Sequence, residues 1–366
     1  MKIAIVLGTR PEIIRMAPMI RILERENRDY VLIHSGQHYD YNLDAIFFKE
    51  LKLPQPRYNL KVGSGSFSEQ FSRIIIKLEG VLAKEKPDVV VVEGDTNTVA
   101  AGAMTAVRLG IPVAHVEAGC RSFDMNMPEE QNRIIADHVS EVLFPPDKAS
   151  CENLLREGIS RGRIFMEGNI LMDSALEAQE LSKKISGTRK KLGLKRYAVL
   201  TLHRAENTCS KEILESLLKL FESIDIPVVF PMHPRTKAAA EKFKLNSILK
   251  RFIVIEPIGY IDNMDLLSNA QMIFTDSGGI QVEASMLGKP CIVLRDTTEW
   301  VEELSGGNYV VGKNRQLFLK AYDKGMKHKG SAKKRSKDLG AAKKMLSTLE
   351  RLHRKGKLKI SKKSLV

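Results

Sequence analysis

Three carboxylates lie just past short apolar runs or at a helix start in the first half of the chain, where they could move protons. Asp95 follows the run Asp88–Val92 by way of Glu93-Gly94. Glu117 follows Pro112–Val116, and Glu130 lies in Pro128-Glu129-Glu130-Gln131-Asn132-Arg133. One such carboxylate is often only a helix cap. Several at one sheet edge point to acid–base work, because facing carboxyl groups push their proton affinities apart. One can then hold a proton while another accepts one.

A second group suits phosphate. Met272-Ile273-Phe274 reads as a buried strand, Thr275-Asp276-Ser277-Gly278-Gly279 as a turn, and Ile280 to Leu287 as a helix. The free N–H groups of a helix start attract anions, and Gly278 and Gly279 permit close approach. Glu283, one turn on, is placed to accept hydrogen bonds from a ribose diol. An ordinary helix cap is the competing reading of this stretch. Gly8-Thr9-Arg10-Pro11-Glu12, with Arg15 one turn later, offers guanidinium groups beside another helix start. In the second half His203-Arg204 and His233-Pro234-Arg235 each follow a strand. Those histidines could donate to a diphosphate or move a proton, or be satisfied structural residues.

These residues need elements to hold them. Strands are expected at Lys2–Leu7, Tyr30–His34, Asp88–Val92, Pro112–Val116 and Val142–Phe144. Helices are expected at Glu12–Glu26, Ser68–Lys84, Thr98–Leu109, Glu130–Ala136 and Ala149–Glu157. A polar passage, Ala178–Lys195, separates these from a second series. Its strands are Tyr197–Leu202, Val228–Pro231, Phe252–Ile255, Met272–Phe274 and Cys291–Leu294. Its helices are Lys211–Phe221, Lys237–Phe243, Asn263–Asn269 and Ile280–Leu287. Strand–helix alternation predicts two doubly wound α/β domains facing across a cleft, with ligands at the carboxyl ends of the strands. The domains are expected at 1–170, completed by a C-terminal helix of about 345–366, and at 171–344. Two last helices, Gln316–Lys327 and Asp338–Arg354, could cross back to the first domain. No sequence-level repeat relates the halves.

Composition narrows the class. The 366 residues are 43% hydrophobic and 28% charged, ordinary for a globular protein. The net charge of +14 is local: 313–366 holds 19 Lys+Arg against 3 Asp+Glu, leaving the remainder at −2. That tail has little aromatic interleaving, so a solvated basic face is expected rather than a nucleic-acid site. Four scattered cysteines lack C-x-x-C spacing, which indicates neither zinc nor a disulfide frame. The apolar start Met1–Leu7 is too short for a signal peptide, and no stretch has the length of a membrane span. A cytoplasmic protein is expected. G-x-G-x-x-G after the first strand, G-x-x-x-x-G-K-[ST] and H-E-x-x-H are all missing, so no cofactor and no metal are expected.

The ordered set Gly8-Thr9-Arg10-Pro11-Glu12, Gly94-Asp95-Thr96, His115–Gly119, Pro128–Arg133, His203-Arg204 and Thr275–Gln281 resembles the non-hydrolysing UDP-N-acetylglucosamine 2-epimerase family. The match runs from residue 3 to about 312. The resemblance implies a GT-B fold, two Rossmann-like domains, and a cofactor-free homodimer acting on UDP-N-acetylglucosamine. It implies reversible loss of UDP to 2-acetamidoglucal and re-addition to give UDP-N-acetylmannosamine. Asp95, Glu117 and Glu130 match the family's acid–base carboxylates, and His203 a catalytic position near the diphosphate. Ser277, Gly278 and Gly279 match its pyrophosphate cradle, Glu283 its ribose ligand, and Arg10 a UDP contact. Arg15 stands where lysine is common. Trp300-Val301 replaces an Arg-Pro pair near the nucleotide. The family's Q-H-R-x-M segment reads Gln37-His38-Tyr39-Asp40-Tyr41; Gln37, Arg204 and His233 would carry activation by a second substrate molecule, without that segment's arginine. The alternatives are a hydrolysing relative that releases N-acetylmannosamine, a GT-B glycosyltransferase, or a nucleotide-sugar-binding regulator.

Overall fold

The computed structural model describes residues 1–37, 47–298, 300, 304, 307–328 and 339–360. The chain divides into two compact units, Met1–Ser174 with Ser336–Val366, and Ala175–Arg335.

The first unit is a six-stranded parallel sheet. Its strands are β1 (Ile3–Leu7), β2 (Tyr30–His34), β3 (Tyr58–Asn59), β4 (Val89–Glu93), β5 (Val113–Val116) and β6 (Val142–Phe144). They lie in the order β3-β2-β1-β4-β5-β6, with Ile3 opposite both Tyr30 and Val89. The five residues of β1 and of β4 are all buried, as expected of strands covered on both faces. Ala4, Val6, Val90 and Val92 face a core shared with helices α2 (Phe67–Glu85), α3 (Asn97–Arg108) and α4 (Pro128–Val139). Helix α3 lies close to the sheet at Gly102, where a Cβ would be 3.5 Å from Val92 and 3.6 Å from Val6, and the neighbouring buried positions Ala103 and Ala106 are small. Ser66 starts α2 with a full capping box, its hydroxyl accepting the Glu69 N–H while Glu69 accepts the Ser66 N–H.

The second unit repeats this topology. Its strands are β7 (Ala198–Thr201), β8 (Val228–Pro231), β9 (Ile253–Ile255), β10 (Met272–Thr275), β11 (Cys291–Val293) and β12 (Asn308–Val310). Their order, β12-β11-β10-β7-β8-β9, is the first unit's order read from the other edge. One face packs Phe221, Phe230, Phe252, Phe274 and Phe318, with the Phe221 and Phe274 rings 4.8 Å apart. The other face packs Tyr197, Val199, Ile273 and Val293 with Leu266 and Leu267. The fold is therefore the expected one, two Rossmann-like α/β units.

Several elements depart from the sequence reading. The expected polar passage is largely helix: Ile170–Ile185 runs through its first half and Thr188–Lys191 forms a further turn. The boundary between units falls inside that helix. Ser186 and Thr188, polar at first sight, both donate to Asp262 at 2.7 Å. Two edge strands, β3 (two residues) and β12 (three residues), were not expected from the sequence. Of the two last helices only Ala341–Arg354 joins the first unit; Arg315–Met326 packs against β11 in the second.

That last helix buries Ala341, Ala342, Met345, Leu346, Leu349 and Leu352, and packs against the helix Arg10–Arg25, which we call α1. No side chain of its own caps its start. Asp173 does so, accepting N–H bonds from Gly340 at 2.7 Å and Ala342 at 2.9 Å. Among the described residues no helix is long and apolar enough to cross a membrane. Replacing Asp173 by Ala removes both acceptors from a buried helix start. The expected loss is about 1–2 kcal/mol, read from urea unfolding followed by the first unit's signals.

Candidate active site

In both units the polar residues gather where the strand order reverses, the usual ligand position of open α/β sheets. In the first unit that point lies after β1 and β4. A Cβ on Gly8 would sit 2.1 Å from Thr98 Oγ1, so only glycine lets the β1–α1 turn meet the start of α3. Beside it Glu12 is buried, accepting from the Gly8 N–H at 2.5 Å, Thr9 Oγ1 at 3.1 Å and Thr96 Oγ1 at 2.7 Å. Burial nevertheless dominates, and the Glu12 carboxyl is pushed up to about 7.

One turn further, Arg15 Nη1 donates to Glu93 Oε1 at 2.9 Å and to Glu117 Oε2 at 2.8 Å. Burial raises Glu93 to about 7 and Glu117 to about 8, outweighing the pull of Arg15. For Arg15 itself burial works against the charge, but Glu117 and Glu93 hold it well above its ordinary value. Glu117 has φ of 69°, a left-handed conformation that costs a non-glycine residue about 1 kcal/mol. Its surroundings are pinned. His115 bridges Gly94 O at 2.8 Å and Asp137 at 2.7 Å, and Asp137 also accepts from the Gly119 N–H and Arg121. Burial would raise Asp137; His115 and Arg121 outweigh it and hold it low.

Asp95 is paired with Arg133, which also donates to Glu130 at 2.9 Å. The three expected carboxylates are therefore neighbours in one unit. They differ in company. Glu130, 1% exposed, accepts from Ser122 N–H, Ser122 Oγ, Phe123 N–H and Arg133, each at 2.9 Å. Four donors make it the clamp of the Ser122–Met127 loop. On that loop Phe123 has φ of 60° and is 75% exposed. Arg10 opens α1, exposed, with its guanidinium 5.3 Å from the Phe47 ring centre. Gln37 accepts from Thr98 Oγ1 at 2.7 Å and gives its carbonyl to Gln70, whereas His38–Tyr41 lie outside the described residues.

In the second unit the organising residue is Asp276, at the end of β10. It accepts from the backbone N–H groups of His203 and Arg204, from Asn207 Nδ2 at 3.1 Å, and from His203 Nδ1 at 3.0 Å. Burial would raise its carboxyl, but His203 and the two N–H groups hold it low. Arg235 Nη1 donates to His203 O at 2.9 Å, and the rings of His203 and His233 are 5.7 Å apart. His203, Arg204, His233 and Arg235 thus line the ends of β7 and β8, the two arginines supplying positive charge while His233 Nδ1 accepts the Arg235 backbone N–H at 3.2 Å. The helix Gly278–Met286 starts beside it at Ser277, whose side chain makes no capping bond. A Cβ built on Gly279 would meet nothing within 4 Å, so the space over this helix start is open. Glu283 lies one turn in and accepts from Tyr260 OH at 3.0 Å.

Sequence reasoning missed six participants. Glu93 carried a signal, as a charged end to a valine run. Asp276 was inside a quoted motif but had no assigned part. Arg133 and the His115–Asp137–Arg121 network depend on contacts across 15 to 40 residues that no local pattern displays.

Two Rossmann-like units with polar groups at both switch points define a GT-B-type enzyme. The comparisons name the family. Residues 21–350 match the model described as UDP-N-acetylglucosamine 2-epimerase. The chain is 49% identical over 335 residues to the UDP-N-acetylglucosamine 2-epimerase of Methanocaldococcus jannaschii, covering 88% of this chain and 92% of that one. It is 40% identical to the UDP-2,3-diacetamido-2,3-dideoxy-D-glucuronate 2-epimerase of Pseudomonas aeruginosa, covering 88% and 91%. The crystal structure of the M. jannaschii enzyme in complex with UDP-GlcNAc and UDP superposes with a TM-score of 0.85, covering 96% of this chain and all of that one. The chain belongs to the UDP-N-acetylglucosamine 2-epimerase family.

The buried carboxyls make a pH prediction. Glu12 binds its proton more tightly folded than unfolded, so its contribution is present at low pH and is lost as pH rises from about 4.5 through about 7. Glu12→Gln mimics the protonated form and cannot lose it. Between pH 5 and 8 the variant should therefore gain about 2 kcal/mol over wild type in unfolding free energy. Parallel urea titrations at those two pH values check the sign.

Proposed function

We propose that the chain interconverts UDP-N-acetylglucosamine and UDP-N-acetylmannosamine without hydrolysis and without a cofactor. The observation that carries this is the cluster of Glu12, Glu93, Asp95, Glu117 and Glu130 around two arginines. Burial keeps protons on part of that cluster near neutral pH, and epimerisation at C2 needs an acid and a base together. Transfer of a sugar to an acceptor needs fewer such groups.

The steps balance as follows. A carboxylate takes the C2 proton, the C1–O bond breaks with its electron pair leaving on UDP, and a C1–C2 double bond forms. A carboxylic acid then protonates C2 on the other face as UDP oxygen re-adds to C1. Glu117, raised to about 8, arrives as the acid, and Asp95, paired with Arg133, serves as its counterpart. Glu130 we assign to holding the loop that carries Phe123. The second unit supplies the leaving-group clamp: Ser277, Gly278, Gly279 and the helix start for the diphosphate, His203 beside it, and Glu283 for the ribose. Arg10 adds a cation from the first unit. Gln37, Arg204 and His233 remain the positions for a second substrate molecule. A cytoplasmic homodimer belongs to the same proposal, and sedimentation tests the dimer.

Incubation with UDP-N-acetylglucosamine in D2O, followed by proton NMR, tests the reaction. The expected result is UDP-N-acetylmannosamine carrying deuterium at C2. Free N-acetylmannosamine as the main product would make the enzyme a hydrolase, and an unchanged spectrum would sink both. Repeating the incubation with the diacetamido-glucuronate nucleotide sugar asks which sugar is preferred. Glu117→Gln and Asp95→Asn should each slow deuterium incorporation at least ~100-fold, the usual scale for losing a general acid or base.

A further inference from the structure

Glu93 has no part in the steps above, yet it is a fully buried ionisable group at the end of a strand otherwise made of valine. Its Oε1 takes the same Arg15 nitrogen that binds Glu117. Its Oε2 is buried and, among the described residues, has no hydrogen-bond partner. A group placed like this is costly to stability, since an aliphatic residue would complete the strand without desolvating a charge. Such arrangements are kept where they serve chemistry.

We propose that Glu93 is a positioning residue for proton transfer: by sharing Arg15 with Glu117 it prevents the guanidinium from neutralising Glu117 alone. This rests on the reading that Glu117 moves the C2 proton. With Glu93 absent, Arg15 and Glu117 would form a one-to-one buried ion pair, which holds a carboxylate ionised and makes it a poor acid. With Glu93 present, two carboxyl groups compete for one cationic nitrogen. A trio with both ionised would carry a net negative charge out of water, so one proton stays with the pair.

Among the described residues, no other group facing the pair shares the Arg15 nitrogen. Glu12 from α1 and Asp95 from the turn after β4 both raise Glu93, and Asp95 also raises Glu117, but Asp95 is paired with Arg133 and does not touch Arg15. Arg133 from α4 lowers Glu117, but its own contacts are to Asp95 and Glu130. The buried Cys120 thiol is held far above its ordinary range, so it stays uncharged. His115, on β5, is committed to Asp137 and Gly94 O. Arg15 is the one cation in contact with both carboxyls among the described residues, and Glu93 is what divides it.

The test compares wild type, Glu93→Gln and Glu93→Asp. Carbon-13 NMR of labelled glutamate, assigned with Glu117→Gln, follows the Glu117 titration in the resting protein. The pH profile of kcat follows the reaction. In E93Q the Glu117 midpoint should fall by at least about one pH unit, and the alkaline limb of the profile should move down with it. kcat at pH 8 should drop about tenfold, while KM changes less than about threefold. E93D keeps the charge and should restore most of the shift. Should E93Q not fold, Glu93→Met, which buries no amide, makes the same comparison. An unmoved Glu117 midpoint in a folded variant overturns the proposal, and so does a slower enzyme whose pH profile stays in place. A midpoint that moves while the profile does not would overturn it differently: the coupling would exist, but Glu117's proton would not limit the reaction.

Discussion

A guanidinium between two buried carboxyl groups sets the electrostatics of the first unit. Arg15 comes from α1, Glu93 from β4 and Glu117 from the turn after β5, so the contact ties three elements at the sheet's switch point. Its strength as a staple is secondary, because a buried ion pair repays its own desolvation only partly. What it decides is proton occupancy. Burial, with the like charge of neighbouring carboxyl groups behind it, raises Glu12, Glu93 and Glu117 towards neutral pH. The strained Glu117 backbone and the His115–Asp137–Arg121 network behind it hold that arrangement in place.

The second unit solves the opposite problem with a similar fold. Asp276 is also a buried carboxylate at a switch point, but it is surrounded by donors and stays ionised. Its work is to fix the turn that carries His203 and Arg204 next to a helix start. One unit is therefore built to keep protons and the other to present positive charge and N–H groups. The difference follows from the partners each buried carboxylate is given, since the sheet order is the same in both.

Much of this was legible from residue order. Strand–helix alternation located ten of the twelve strands, and the carboxylates past β4 and β5 identified the acidic edge. Four things were hidden. The helix Ile170–Ile185 starts in an apolar stretch and ends in a polar one, so composition disguised it as a linker. Glu130 looked equivalent to Asp95 and Glu117, and only its four donors separate it from them. The Arg15–Glu93 contact spans 78 residues, and nothing local marks it. The topological repeat was invisible because it lies in strand order, which pairs of unlike sequences can share.

The division of labour bears on why UDP would return instead of being lost. Once the C1–O bond breaks, the diphosphate carries the additional charge and the sugar carries none. Under the proposed mechanism, a clamp of N–H groups, histidine and arginine would then hold UDP more firmly than before. The glucal has no comparable grip and depends on the walls around it. Under the same mechanism Phe123, exposed on a loop fastened by Glu130, would be the apolar side chain available to cover the sugar. Hydrolysis and epimerisation thus differ in what reaches C1 first, water or the retained UDP. In the proposed mechanism, return is favoured by how firmly the N–H groups and arginine would hold the departed UDP.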